Sequence, residues 1–207
     1  MANVTDTAFR QTITRCGRPD VMMTEFTSCD GLCSAGYKSL LAELSFAPIE
    51  RPLVVQFFGS RPETFFQCAQ LAQHLGFDGI DINTGCPDRR VLRQGAGAAL
   101  IGDHTRIKEI YLATLEGAGA LPISIKTRLG IERDILLDWL SVLLELRPAA
   151  ITVHARTAHE LSNCSAHWGA LHNAVKLARG TGVLIIGNGD VQSPAHAHEL
   201  AMETGVD

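Results

Sequence analysis

"DGIDINTGCPDRRVLRQGAG", Asp78–Gly97, is the stretch on which the fold reading turns. It begins as a strand: Ile80 and Ile82 alternate with Asp81 and Asn83, the two-residue period of a β-strand. Gly85-Cys86-Pro87 then breaks it, and Arg89, Arg90 and Arg93 follow at once. A strand that ends in a turn and leads toward a helix predicts a crossover unit, and the rest of the chain repeats the pattern.

Outward from this stretch, strands and helices alternate. Strand-like runs occupy 21–26, 53–59, 79–85, 122–130, 150–156 and 182–189. Helical spacing covers 62–76, 104–117, 132–146 and 167–179, and a last helix starts near Ser193-Pro194, a cap followed by proline in the first turn. Pro62 opens the first of these helices and Gly76 stops it. "GAGAA" (95–99) lacks the Lys-Ser/Thr of a phosphate loop and reads as a flexible connection into a helix. Strands separated by helices need crossover connections and a parallel sheet. At least six such units favour a (β/α)8 TIM barrel over an open doubly wound sheet, and no GxGxxG follows a strand.

The bulk composition sets limits. At 207 residues the chain is one domain, residues 1–207, with one sizeable core. Hydrophobic residues make up 46% and charged residues 19%, which suits a globular protein. The net charge of −4 gives no global attraction to nucleic acid, so any such contact needs a local patch. No apolar run is long enough to span a membrane, and "MANVTDTAFR" lacks the apolar stretch of a signal peptide. Six cysteines without a dense framework read as reduced thiols in a cytoplasm. Cys29-x3-Cys33 has no second pair at ligand spacing, so no metal site is expected.

Strand parity then locates a site. Ile151, Val153 and Ala155 share one face of their strand, and Thr152, His154 and Arg156 the other. Ile123, Ile125 and Thr127 oppose Ser124, Lys126 and Arg128. Each strand thus has an apolar face for outer helices and a second face that turns polar toward its C-terminal end. In a barrel these ends converge where barrel enzymes keep their chemistry. Gln56, Asn83, Lys126, His154 and Asn188 are expected to ring one pocket.

"DINTGCP…RRVLRQGAGAAL", "ISIKTRLG", "ITVHARTAHEL…HW" and "IIGNGDVQSP", in this order, resemble successive motifs of the bacterial tRNA-dihydrouridine synthases. "NVTDTAFR" and "MMTEFTS" are similar to that family's first helix and second strand. The resemblance covers essentially the whole chain. It implies an FMN-bound barrel that reduces the C5–C6 double bond of uridine in tRNA, with NADPH (or NADH) reducing the flavin. Matched by position, Cys86 falls on the proton donor. Gln56, Lys126, His154, Asn188, Gly189 and Asp190 fall on positions that hold FMN, and Met1 and Ala2 on the end of a flavin-contacting first strand. Asn83, Arg89, Arg90, Arg93 and Arg156 are the candidates for contact with tRNA. The resemblance also implies an incomplete barrel, lacking the first and eighth strands and the C-terminal helical RNA-binding domain. No membrane partner is expected, since no apolar run is long enough, and no obligate protein partner is inferred.

The chemistry suits these residue types. A thiol with a reference pKa of ~8.5 is mostly protonated near neutrality, yet can still release its proton. A lysine on an otherwise apolar strand needs an anionic partner, either a reduced flavin or a carboxylate such as Asp81. Trp168 reads as a packing residue. Two other readings explain some of the same residues. A flavin barrel reducing free pyrimidines, of the dihydroorotate or dihydropyrimidine dehydrogenase type, accounts equally for Asn83-x-x-Cys86-Pro87 and Lys126. A non-catalytic fragment is the other.

Overall fold

The computed structural model describes residues 4–207. They form two compact units, residues 4–82 with 109–123 and residues 83–108 with 124–207. Six strands alternate with helices, and within each unit the strands pair in parallel and in sequence order. This is the architecture of a (β/α) barrel, incomplete at six strands of eight.

The first unit opens with α1 (Thr7–Cys16), capped by the Asp6 carboxylate, which accepts from the Phe9 N–H. β1 (Met22–Ser28), the short helices α2 (Cys29–Leu32) and α3 (Tyr37–Glu43), β2 (Leu53–Phe58) and α4 (Pro62–Leu75) follow. β3 (Gly79–Asn83) closes the run. Pro62 lies in the first turn of α4, and Gly76 ends that helix in the left-handed conformation. On β2 and β3, Val55, Phe57, Ile80 and Ile82 are fully buried, as the alternation predicts. One ion pair is also fully buried. Arg10 Nε donates to Glu50 Oε2 at 2.6 Å, and the other carboxylate oxygen accepts from Thr7 Oγ1 and from the Ala47 N–H. Every Glu50 oxygen thus has a donor, the condition for holding a buried carboxylate.

The second unit holds α5 (Arg89–Leu92), the start of α6 (His104–Ala118) and β4 (Ile123–Arg128), followed by α7 (Leu136–Glu145), β5 (Ala150–His154), α8 (Gly169–Ala178), β6 (Leu184–Asn188) and α9 (Pro194–Thr204). Ile125, Ile151 and Ile185 pair across the three strands and are buried under the helices. Trp139 of α7 donates from Nε1 to Thr127 Oγ1 at 2.9 Å on the same outer face. Helix α7 starts four residues later than its periodicity predicts. The Gly130 and Ile131 carbonyls accept from Ala158 and His159, which keeps the intervening backbone out of a helix. Ser193 caps α9 by accepting from the His196 N–H, with Pro194 behind it, as read from sequence.

Candidate functional site

The turn after β3 carries Cys86. Asn83 Oδ1 accepts from the backbone N–H of Gly85 at 3.1 Å and of Cys86 at 2.9 Å, so one side chain closes the turn. Arg128, buried at the end of β4, donates from Nε to the Gly85 carbonyl at 2.7 Å and from Nη1 to the Thr157 carbonyl. The Ala98 N–H donates to the Cys86 carbonyl at 3.0 Å. Gly97 lies directly against this turn with φ +60; a Cβ there would come within 2.7 Å of the Cys86 carbonyl oxygen and 2.8 Å of Val91. The expectation of a flexible connection at 95–99 is therefore corrected. Ala96, Gly97 and Ala98 are buried, and Gly97–Leu100 forms a 3-10 turn that backs the cysteine.

Cys86 is half-buried, and burial pushes its thiol above the ordinary range. The Asp88 backbone N–H and the nearby Arg128 and Lys126 pull the other way without cancelling the effect. At neutral pH the side chain therefore holds its proton.

The strand ends of the same unit align in rows. Arg128, His154 and Asn188 are register partners across β4, β5 and β6, with Lys126, Thr152 and Ile186 one row below. His154 titrates at about 4 rather than in its usual range. Burial is the main cause, followed by repulsion from Arg128, Lys126 and Arg156. The ring is neutral at physiological pH. Arg156 Nη1 lies 3.2 Å from His154 Nε2, and a guanidinium can only donate. Nε2 is therefore the acceptor, and the hydrogen is on Nδ1.

Arg156 is almost fully buried. Its Nη2 reaches both oxygens of Asp190 at 2.7 Å, and its Nε and Nη2 donate to the Cys164 carbonyl. Asp190 also accepts from the Ala166 N–H. Gly189, at φ +125, packs against His154, where a Cβ would lie 3.1 Å from the ring. Trp168 donates to the Gly189 carbonyl and lies against Gly187, a packing role as expected.

The residues read from sequence thus divide. Asn83, Cys86, Lys126, His154, Arg156, Asn188, Gly189 and Asp190 lie at the C-terminal ends of strands or on the turns that follow them. Arg89, Arg90 and Arg93 are exposed on and beside α5, while Val91 between them is buried. In the first unit, Gln56 donates from Nε2 to Asp81 Oδ2 at 2.7 Å. Met1 and Ala2 lie outside the described residues. Arg128 was visible in the sequence as the residue two after Lys126, on the same face. Its clamp on Gly85 was not, because that contact joins residues 43 apart.

A thiol held protonated on a clamped turn, beside a row of cationic and amide side chains at strand ends, is the layout of a barrel that works at the C-terminal face of its strands. The comparisons are narrower. The family model for dihydrouridine synthase (Dus) matches residues 1–207, and the chain belongs to that family. It is 39% identical over its whole length to a "Probable tRNA-dihydrouridine synthase" of Staphylococcus aureus (strain COL), of which it covers 64%. It is 37% identical to "Probable tRNA-dihydrouridine synthase 2" of Bacillus subtilis, again covering 64%. The chain therefore spans just under two thirds of the length of these relatives. A crystal structure assigned as a deoxyribose-phosphate aldolase, from Toxoplasma gondii, shares the fold alone. Its TM-score is 0.53 at 17% identity, over 96% of this chain and 89% of that one. Among the described residues no helix is long and apolar enough to cross a membrane.

Proposed function

We propose that this chain is the catalytic barrel portion of a tRNA-dihydrouridine synthase, which reduces the C5–C6 double bond of uridine in tRNA with FMN as cofactor and NADPH as reductant. The observation that carries the reading is Cys86, a thiol kept protonated by burial on a turn fixed by Asn83, Arg128 and Ala98. Family membership and the names of the relatives support the substrate class.

The residues present fit an anionic, hydrogen-bonding cofactor. His154 Nδ1–H and the half-buried Asn188 amide make no hydrogen bond among the described residues, so both can serve a ligand. Burial first, and then the charges of Arg128, Lys126 and Arg156, keep the His154 ring neutral. Lys126, His154, Asn188, Gly189 and Asp190 would hold the flavin. Gly189 admits backbone where a side chain would strike His154. A bound reduced flavin would supply the hydride for C6 of the uracil. Cys86 then gives its proton to C5, leaving a thiolate that Lys126 and Arg128 stabilise. Exposed Arg89, Arg90 and Arg93 provide the local basic patch for RNA phosphate that the net charge of −4 does not.

The test is Cys86→Ala in the protein that carries this chain. Dihydrouridine formation on unmodified tRNA, followed in a single turnover by nucleoside mass spectrometry, should fall by ~10²–10⁴-fold, the range for losing a positioned general acid. Flavin binding and NADPH oxidation should persist. An unchanged rate would sink the proton-donor role. Reduction of free uracil but not of tRNA would replace the substrate class.

A further inference from the structure

The loop between β5 and α8 gathers three side chains that the reading above does not use. We infer that Glu160, Cys164 and His167 form a binding site for a Zn²⁺-class transition-metal ion. One ligand atom from each lies within 4.8 Å of the other two. His167 Nε2 is 2.9 Å from Glu160 Oε1 and 3.8 Å from Cys164 Sγ. Tetrahedral zinc with ordinary bond lengths separates such atoms by roughly 3.4–3.6 Å. The N–O pair must open by about half an ångström and the N–S pair close by less. Rotations of partly exposed side chains supply both movements, since Glu160 and Cys164 are of intermediate burial and His167 is exposed.

The backbone around the three ligands is fixed. Glu160 Oε2 accepts from the Thr157 N–H at 2.7 Å, and the Glu160 N–H donates to Thr157 Oγ1. This pair of bonds leaves Oε1, the other carboxylate oxygen, facing His167 Nε2 at 2.9 Å. The Cys164 carbonyl accepts from Arg156, the Ala166 N–H donates to Asp190, and the His167 N–H donates to the Ala155 carbonyl at 2.7 Å. Partners that orient ligands in this way are what holds a metal's first shell in place. The donor set also selects the metal. Thiolate and imidazole suit zinc and its neighbours, whereas calcium and magnesium need oxygen ligands. Three protein ligands with a solvent-facing side leave the fourth position to water. On binding, Sγ loses its proton to solvent, and so does Nε2, whose hydrogen Glu160 Oε1 accepts in the metal-free site; the imidazole then offers the Nε2 lone pair with its hydrogen on Nδ1. The spacing Glu-x3-Cys-x2-His was present in the sequence, but only the turn at 158–163 brings Glu160 back to His167.

The test does not depend on the proposed reaction. Purified metal-free chain is titrated with Co²⁺ and then with Zn²⁺ in a non-thiol reductant. The expected result is one Co²⁺ per chain, with a thiolate-to-cobalt charge-transfer band and the visible bands of tetrahedral coordination, both displaced by Zn²⁺. Cys164→Ala should abolish the charge-transfer band. His167→Gln should weaken affinity by at least about tenfold, since losing even an orienting partner costs 10–100-fold. Cys16→Ala and Cys33→Ala, which remove exposed thiols elsewhere, should change neither. Circular dichroism establishes that each variant is folded. No charge-transfer band in the parent chain, or a band that survives Cys164→Ala, overturns the site.

Discussion

Gly97→Ala should damage both the stability of the protein and the presentation of Cys86. Two effects add. At φ +60 an alanine takes a left-handed conformation that costs about 1–2 kcal/mol. Its Cβ would also stand 2.7 Å from the Cys86 carbonyl oxygen, 2.8 Å from Val91 Cγ1 and 3.1 Å from Cys86 Cβ. Overpacking of this kind costs ~1–3 kcal/mol. The carbonyl cannot retreat freely, because it accepts the Ala98 N–H and its turn is held by Asn83 and Arg128. The sum is roughly 2–5 kcal/mol, a fall of about 1–2 M in the urea midpoint at a slope of ~2–3 kcal/mol/M. Urea denaturation read by tryptophan fluorescence measures the first effect. The alkylation rate of Cys86 in the native state, read by mass spectrometry against the exposed Cys16, measures the second and should change. Gly169 is the internal control: it opens α8 at an ordinary φ, and a Cβ there meets nothing within 4 Å. Gly169→Ala should leave stability unchanged or raise it by up to ~1 kcal/mol. If Gly97→Ala matches the parent in midpoint and in Cys86 alkylation, the packing of 95–99 against the cysteine turn is wrong.

Three further outcomes follow from particular contacts. Arg10→Met leaves the Glu50 carboxylate buried without its cation and should cost ~3–5 kcal/mol in urea; a loss below about 1 kcal/mol would show that Thr7 and the Ala47 N–H suffice. His154 binds its proton less readily in the folded chain than in the unfolded one, so its contribution is complete above its ordinary pKa near 6.5 and is lost as pH falls toward about 4. Stability measured across that window should fall with pH less steeply in His154→Asn than in the parent, and identical slopes would count against the burial of the ring. On the proposed function, Lys126→Met should slow flavin reduction by NADPH and make the flavin potential more negative; an unchanged potential would leave the lysine a structural residue.

Much of the architecture is local and was legible in the chain. Alternation on β2, β3, β4 and β5 follows from the pleat, which sends neighbouring side chains to opposite faces. Pro62, Gly76 and Ser193-Pro194 mark helix ends because each supplies or removes a backbone bond at one position. Cys86 was legible as a strand-end residue for the same reason, and its neighbours Gly85 and Pro87 announced the turn.

Long-range partners decided the rest. The late start of α7 depends on carbonyls at 130 and 131 bonding to residues 158 and 159, which no local period encodes. "GAGAA" reads as loop by composition, yet it is buried because those small residues let the chain lie flat on the cysteine turn. Arg156 was a candidate for substrate contact and Asp190 matched a flavin-holding position; the fold brings the two together across 34 residues, with Arg156 Nη2 reaching both Asp190 oxygens. Burial, together with the same proximity of Arg128, Lys126 and Arg156, lowers the titration of His154. Sequence by itself determined which residues share a face and where each element ends, since those follow from backbone geometry over a few residues. Tertiary structure alone decided which charges meet, which hydrogen bonds are filled and which proton each site residue keeps, since those depend on distance and desolvation between segments far apart in the chain.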